Sequence, residues 1–244
     1  MILEFTGDLD TTPNFPRPSG PPDQGNLIGW YRADGTAYSG FNDGDPMPNF
    51  FDESGQANHL TAVGGARPTF KLAIKNSRPV FRFDGIGNFM SRLGAYNGSG
   101  VTDNLSIYAA HTFRASSGFS MVVSLVDAPS VNYNELRQDG AGFSWQSVMG
   151  NGGAPANGVT SFTIGDWAVA GLDTIFSSPL VRLWVNGLAE STGGDAATNV
   201  ITAAGIGARY DGTIPCQIDI GEVLIYKSIV NPVDIQGYLA PKWL

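Results

Sequence analysis

Alternation of apolar and polar residues is the feature of this chain that most constrains its fold. Over Leu105–Phe113 every second residue is apolar or histidine, and these residues are Leu105, Ile107, Ala109, His111 and Phe113. Successive side chains of a strand point to opposite faces of a sheet, so this pattern predicts a strand with one buried face. In 80–83, Phe81 and Phe83 share a face in the same way, opposite Val80 and Arg82. Further strands are predicted at 27–31, 121–126, 167–172, 180–185 and 217–226.

Turn-forming residues support an all-β fold. Asn186-Gly187 stands between two apolar runs, and a type I′ hairpin turn needs positive φ at both of its central positions. The chain has 32 Gly and 15 Pro, which suit many short strands joined by tight loops. Hydrophobic residues make up 42% and charged residues 15%, enough apolar material for a large core. The sequence therefore predicts a two-sheet antiparallel sandwich.

One short helix is predicted at the C-terminal end. Asn231 suits its N-cap, Pro232 its first turn and Asp234 its positive end. Its apolar contacts are expected from Val233, Ile235, Leu239 and Trp243. Gly237 and Pro241 are expected to weaken its second half.

Residues 1–25 differ in composition from residues 26–244, which we interpret as one domain. Closely spaced prolines favour an extended, polyproline-like arm. We predict that the arm attaches the domain to other subunits of a homo-oligomeric assembly; the alternative is an arm folded back on its own domain. The residues expected to make the attachment are Pro13, Phe15, Pro16, Pro18, Pro21 and Pro22.

The charge balance narrows the partners. The formal net charge is -8, and an acidic surface repels both nucleic acid and anionic membranes. No run reaches the roughly 18 apolar residues of a membrane span. The first ten residues lack the pattern of a signal peptide. We expect a virion or extracellular surface location, reached without a signal peptide, for example by lysis.

Three stretches carry a family resemblance. They are Gly29-Trp30-Tyr31-Arg32-Ala33-Asp34 with 51–60, Arg78-Pro79-Val80-Phe81-Arg82-Phe83-Asp84-Gly85 with 88–90, and Ile220-Gly221-Glu222-Val223-Leu224-Ile225-Tyr226 with 238–243. Together they resemble the laminin-G-like jelly-roll domains of the concanavalin A-like lectin/glucanase superfamily. The resemblance covers about residues 27–244, except 127–165, which match no motif.

The resemblance implies two curved antiparallel sheets packed face to face. It implies a secreted, surface or bacteriophage virion protein whose domain binds sugars, binds proteins or serves as a structural module. Some members bind calcium at a sheet edge. Calcium is the one cofactor we consider, at Asp43 and Asp45 in an oxygen-rich loop.

Paired carboxylates decide whether a glycosidase is expected. Glucanases of this superfamily carry Glu-x-Asp-x-x-Glu on one strand, and this chain lacks that pattern. Asp219 and Glu222 are three apart, so a regular strand points them to opposite faces. Glu222 shares its parity with apolar neighbours, and we expect it to be buried and hydrogen-bonded by backbone amides or by the Trp30 indole. We predict no catalytic site.

Sugar binding needs an aromatic platform with nearby amide or carboxylate groups. Trp145 is the first candidate, and the others are Tyr133, Asn134, Tyr96 and Tyr210. The alternative is that Trp145 lies in the core. It is two positions from Phe143, so on a strand both side chains point to the same face, which is then expected to be the buried one.

The remaining reactive side chains favour structural roles. His111 is expected in the core, and His59 in a turn fixed by side-chain hydrogen bonds, although a ligand loop stays open. Cys216 is expected to be an inert apolar residue, and two histidines with one cysteine exclude a usual zinc site.

The leading hypothesis is a non-enzymatic virion or surface protein that presents a lectin-like jelly roll and attaches to host glycans. One alternative is a purely structural capsid or tail decoration or fibre protein without a sugar ligand. The other is a glycoside hydrolase of the same fold.

Overall fold

The computed structural model describes residues 20–244 except 63–66, 101–103, 116–117, 128–131, 140–143, 150–153, 177, 179 and 195–200. Its strands are β1 (Leu27–Arg32), β2 (Asn49–Phe50), β3 (Leu60–Ala62), β4 (Thr69–Lys75), β5 (Arg78–Arg82), β6 (Met90–Leu93), β7 (Leu105–Phe113), β8 (Ser120–Asp127), β9 (Asn132–Gln138), β10 (Ser144–Met149), β11 (Ala156–Ser161), β12 (Ala168–Ile175), β13 (Leu180–Val185), β14 (Leu188–Gly193), β15 (Ala203–Ile206) and β16 (Ile218–Tyr226). A C-terminal helix, α1, covers Pro232–Trp243.

Two antiparallel sheets form a sandwich. Sheet A has the order β14-β13-β12-β7-β16-β5-β4, with β1 also paired to β16. Sheet B has the order β11-β10-β9-β8-β15-β6-β3-β2. The prediction of an all-β sandwich with one C-terminal helix is confirmed.

The two faces of sheet A carry two separate apolar layers. The main core lies between the sheets and includes Leu105, Ile107 and Phe113 from β7. The alternate β7 residues Tyr108 and Ala110 belong to a second layer, which α1 covers on the outer face. The alternation predicted for 105–113 and 80–83 therefore reflects burial on both sides of one sheet.

The strand predictions hold with small shifts at their ends. The strand over 121–126 is central in sheet B, between β9 and β15. Asn186 and Gly187 have φ of 50° and 79°, as the type I′ hairpin requires. The unassigned stretch 127–165 contains β9, β10 and β11, whose sequences are polar and so lack an apolar alternation to detect.

The helix has the cap and the extent that the sequence predicted. The Asn231 side chain accepts a hydrogen bond from the Val233 amide at 3.1 Å, which confirms the N-cap. The helix continues through Gly237 and Pro241 to Trp243. The last turn is held from outside, because Lys242 and Trp243 both donate to Glu222. Ile235, Leu239 and Trp243 are buried as expected, but Val233 is exposed.

Most of the predicted arm, including Pro13, Phe15, Pro16 and Pro18, lies outside the described residues. Pro21 is buried and Pro22 partly buried, and both line a cavity of about 540 Å³ beside α1. Asp23 accepts a hydrogen bond from Ser228 Oγ at 3.0 Å, so residues 20–25 contact the domain. Among the described residues, no helix has the length and apolar character needed to cross a membrane.

Candidate functional site

A cavity of about 380 Å³ opens where several turns meet at one end of the sandwich. We call it the end pocket. It lies between the β4–β5 turn, the loop from β11 to β12 and the β13–β14 turn. Its described lining includes Trp145, Thr160, Thr163, Asp166, Trp167 and Asn186. Its volume falls within the roughly 300–1,000 Å³ of small-ligand sites.

Trp167 supplies the accessible aromatic ring of the end pocket. It is partly exposed and stacks on Trp243, with ring centroids 5.4 Å apart and an interplanar angle of 17°. One face of the indole is therefore covered, and only the opposite face can meet a ligand. The exposed carboxylate of Asp166 lies next to it in sequence. An aromatic face beside polar groups is the arrangement that binds the apolar face and the hydroxyls of a sugar.

Trp145 lines the same pocket but is only 3% exposed. Its Nε1 donates to His111 Nε2 at 3.0 Å, and His111 Nδ1 lies 3.1 Å from the Ala109 carbonyl. Nε2 accepts, so the proton is on Nδ1 and the imidazole is neutral. Burial lowers the pKa of His111 to about 4. His111 is the satisfied core residue we predicted, and Trp145 occupies the core position left open as its alternative.

Tyr96 and Asn134, two other predicted ligand residues, are buried. Tyr96 OH lies 2.7 Å from Tyr31 OH, and Tyr31 donates to the Asn58 carbonyl at 2.5 Å. Asn134 Oδ1 accepts from Thr174 Oγ1 at 3.0 Å, between the sheets. Neither side chain is among those that line the end pocket.

His59 belongs to a hydrogen-bonded turn, as predicted. Its Nδ1 accepts the Asp52 amide at 2.9 Å. The Asp52 carboxylate accepts the amides of Trp30, Ser54 and Asn58 at 2.8–2.9 Å. These bonds connect β1 to residues 51–60, one of the stretches that carry the family resemblance. The Asp52 carboxylate and His59 Nδ1 are therefore engaged within the protein.

Tyr133 lies in a second polar cluster, on the outer face of sheet B. Glu135 is fully buried there and accepts from Arg209 Nε at 2.6 Å and Arg137 Nη1 at 3.1 Å. The Arg209 guanidinium also lies 4.4 Å from the centre of the Tyr133 ring. A Cβ at Gly205 would collide with the 208–210 backbone, so glycine allows that segment to cross the sheet. Tyr210 follows Arg209 and is partly exposed.

Glu222 forms a third cluster, beneath α1. Its fully buried carboxylate accepts four hydrogen bonds at 2.7–3.2 Å, from Trp30 Nε1, Tyr238 OH, Lys242 Nζ and Trp243 Nε1. The expected contact with the Trp30 indole is confirmed. Three donors come from α1 and the fourth from β1 of sheet A, so the carboxylate joins α1 to that sheet.

The prediction that Asp219 and Glu222 point to opposite faces is wrong. The β16–β7 register shifts between Ile220 and Glu222, and this bulge adds one residue to β16. Val223 and Ile225 therefore face the main core, whereas Asp219 and Glu222 both lie on the outer face. Asp219 is engaged by Arg82, which donates at 2.8 and 2.7 Å.

The proposed calcium ligands are engaged with protein groups. Asp43 pairs with Lys71 and accepts the Leu72 amide at 2.9 Å, and Asp45 accepts the Asn42 amide at 2.8 Å. In the described ranges, no three His, Cys, Asp or Glu side chains come together in a way that would hold a metal ion. These contacts give the two carboxylates a structural role in fixing the 42–45 turn.

No protein-family model matches the sequence, and no curated protein sequence matches it. Solved structures do share its fold. Domain 4 of AbnA, a GH43 extracellular arabinanase from Geobacillus stearothermophilus in complex with arabinotriose, has 13% identity and a TM-score of 0.66, covering 87% of this chain and 98% of that one. Trypanosoma rangeli sialidase in complex with sialic acid has 14% identity and a TM-score of 0.59, covering 89% of this chain and 33% of that one.

The fold is a jelly-roll sandwich, which these solved structures share. Membership of the concanavalin A-like superfamily stays a prediction. The chain spans about a third of the sialidase it matches. It shares this fold with domains of glycan-processing enzymes. The laminin-G subtype and a bacteriophage origin remain predictions.

Sequence reasoning missed Asp166, Trp167 and Asn186 as a site. The sequence predicts a strand at Trp167 and a turn at Asn186. Both predictions concern local backbone conformation and do not say which distant residues lie nearby. The available signal was Gly165-Asp166-Trp167, a turn residue followed by an acid and an aromatic residue just before β12. Only the meeting of three distant turns makes these residues one cavity.

Proposed function

We propose that this chain is a non-enzymatic glycan-binding module, with its sugar site in the end pocket. The observation that carries the proposal is that the partly exposed Trp167, stacked on Trp243, lines a cavity with hydroxyl, amide and carboxylate side chains. Aromatic stacking fixes a sugar ring, and polar side chains select its hydroxyls. The shared fold with glycan-processing enzyme domains is consistent with this function.

The state of the carboxylates supports binding over hydrolysis. A retaining or inverting glycosidase usually needs two carboxyl groups that reach the substrate. Asp166 is the one acidic side chain among the described residues that line the end pocket. Glu222 and Glu135 are buried in clusters of donors, and Asp219 is held by Arg82.

A glycan array followed by titration calorimetry tests the sugar site. Trp167→Ala is expected to weaken binding of the best glycan about fivefold or more, since aromatic contacts of this kind contribute roughly 1 kcal/mol or more. Tyr133→Ala, on the outer face of sheet B, is the matched control and should leave binding unchanged. Absence of any bound glycan would overturn the proposal in favour of the structural alternative.

Hydrolysis is tested separately. The array hits are incubated with the protein, and reducing ends are measured over time. We expect no release above a buffer blank. Turnover that disappears in Asp166→Asn or Glu222→Gln would overturn the non-enzymatic assignment.

We also propose that residues 1–25 attach the domain to other subunits of a virion or surface assembly. The support is the close spacing of their prolines. Pro21 is itself buried against the domain, so the attachment is assigned to the prolines that precede it. Removal of residues 1–19 leaves the contacts of Pro21 and Asp23 in place. The truncated protein is expected to keep its melting temperature and to lose higher-order assembly in light scattering. Unchanged assembly would place the attachment elsewhere.

A further inference from the structure

Trp184 occupies a partly exposed position on the outer face of sheet A and does not line the end pocket. Its register neighbours are Gly171 on β12 and Ala189 on β14, so neither adds a bulky side chain beside the ring. The Tyr108 ring fills the space above Gly171, where a Cβ would collide with it. On the β14 side the small, exposed Ala189 leaves the indole accessible.

The Trp184 ring is held in place by a buried acid. Its Nε1 donates to Asp173 Oδ2 at 2.7 Å. Asp173 is fully buried, and its other oxygen accepts from Ser106 Oγ at 2.6 Å and Tyr108 OH at 3.3 Å. A ring fixed in this way loses little freedom when a ligand stacks on it, which favours binding.

A cation lies beside the ring. Arg182 is two residues before Trp184 on the same face of β13, and both line a cavity of about 320 Å³ with 189–192. Arg182 forms no ion pair with another described residue. Its cross-strand neighbour is Asp173, whose carboxylate accepts hydrogen bonds from Trp184, Ser106 and Tyr108.

The acidic residue that lines this cavity is engaged with protein groups. Glu190 accepts the amides of Val159 and Thr160 at 2.8 Å each, and Thr160 Oγ1 at 2.6 Å. It therefore ties β14 to β11. Although partial burial opposes it, these bonds lower the pKa of Glu190. The guanidinium of Arg182 thus remains the charged group available to a ligand in this cavity.

We propose that Trp184 and Arg182 form a second subsite, which binds the carboxylate-bearing ring of an acidic sugar. The sugar's apolar face stacks on Trp184, and its carboxylate accepts hydrogen bonds from Arg182, whose planar fork suits a carboxylate. Identifying the ligand as a sugar rests on the proposed function. The subsite adjoins the end pocket, since Thr160 lines that pocket and also bonds Glu190.

Indole N–H signals in a ¹⁵N NMR titration of the full chain test the subsite. Glucuronate is the probe, and glucose is its uncharged match. Trp184→Phe assigns the Trp184 signal by its loss. We expect glucuronate to shift that signal and to bind about tenfold more tightly than glucose, as one charge-assisted contact provides.

Two charge variants provide the comparison. Arg182→Gln should abolish the preference for glucuronate, whereas Arg67→Gln, at an exposed arginine that lines neither cavity, should retain it. Well-dispersed amide spectra show that each variant is folded. The subsite is refuted if glucuronate leaves the Trp184 signal in place, or if Arg182→Gln keeps the preference. Glycan binding that depends on Trp167 would still support the proposed function in either case.

Discussion

The Trp30 indole donates to the Glu222 carboxylate at 2.7 Å, across 192 positions of sequence. This bond joins β1 to β16, and Glu222 then receives three further donors from α1. One buried carboxylate therefore connects both ends of the domain to the helix that covers sheet A. Removal of its charge would leave the Lys242 ammonium, itself largely buried, without its partner.

Glu222→Gln is expected to lower the free energy of unfolding by about 3 kcal/mol, because breaking a buried ion pair leaves an unpaired charge. Urea unfolding followed by tryptophan fluorescence measures the change. Glu53→Gln is the control, since Glu53 pairs with Arg32 nearer the surface and should cost under about 1 kcal/mol. Equal losses in the two variants would contradict a central role for Glu222.

The buried His111 is expected to make the folded protein less stable in acid. Burial lowers its pKa from 6.5 to about 4 in the folded protein. The unfolded chain therefore binds the proton first, and stability present above pH 6.5 is lost as the pH falls towards 4. The full effect is roughly 3 kcal/mol, at 1.36 kcal/mol for each unit of pKa difference.

Unfolding at pH 7 and at pH 4 measures this effect. His111→Gln should reduce the fall in unfolding free energy between the two pH values, because glutamine does not take up a proton. The same fall in wild type and His111→Gln would assign the acid sensitivity to other groups.

Gly187→Ala is expected to cost roughly 1–2 kcal/mol, because φ of 79° places an L-residue in the left-handed region. The added Cβ would also meet Gln236 of α1 at 3.2 Å. Gly40→Ala is the matched substitution, since nothing lies within 4 Å of its added Cβ. In thermal unfolding, Gly187→Ala should have a lower midpoint than the wild type, and Gly40→Ala should not. Equal midpoints for the two variants would argue against a required left-handed turn at Gly187.

Cys216 should be unreactive in the folded protein. It is fully buried, and burial raises the pKa of its thiol. A chromogenic disulfide reagent at pH 8 is expected to label it slowly in buffer and to release one equivalent at once in concentrated urea. Rapid labelling of the native protein would show that this part of the core opens readily.

The sequence predicted what local patterns encode. Period-two alternation identified β7 and β5, and Asn186-Gly187 identified the hairpin, because strand pleat and turn dihedrals depend on adjacent residues. Asn231 was recognised as a cap for the same reason. Burial of Glu222 also follows from its apolar neighbours in the strand. The face of the sheet on which it lies does not, because the bulge in β16 changes the alternation.

The candidate site was less accessible to prediction. Trp145 was selected for its polar surroundings in sequence, yet it is buried against His111, which lies 34 positions away. Tyr96 and Asn134 are likewise buried by residues that are distant in sequence. A side chain's exposure depends on what packs over it, and that information is not local.

The sequence by itself determined the all-β class, the main strands, the type I′ turn and the capped helix, since each follows from residues close in the chain. Only the tertiary structure decided which aromatic rings face solvent. It also decided that a bulge places Asp219 and Glu222 on one face, and that distant turns enclose Trp167 and Asp166 in one pocket. Strand register and packing between sheets are long-range properties, and a single sequence pattern does not specify them.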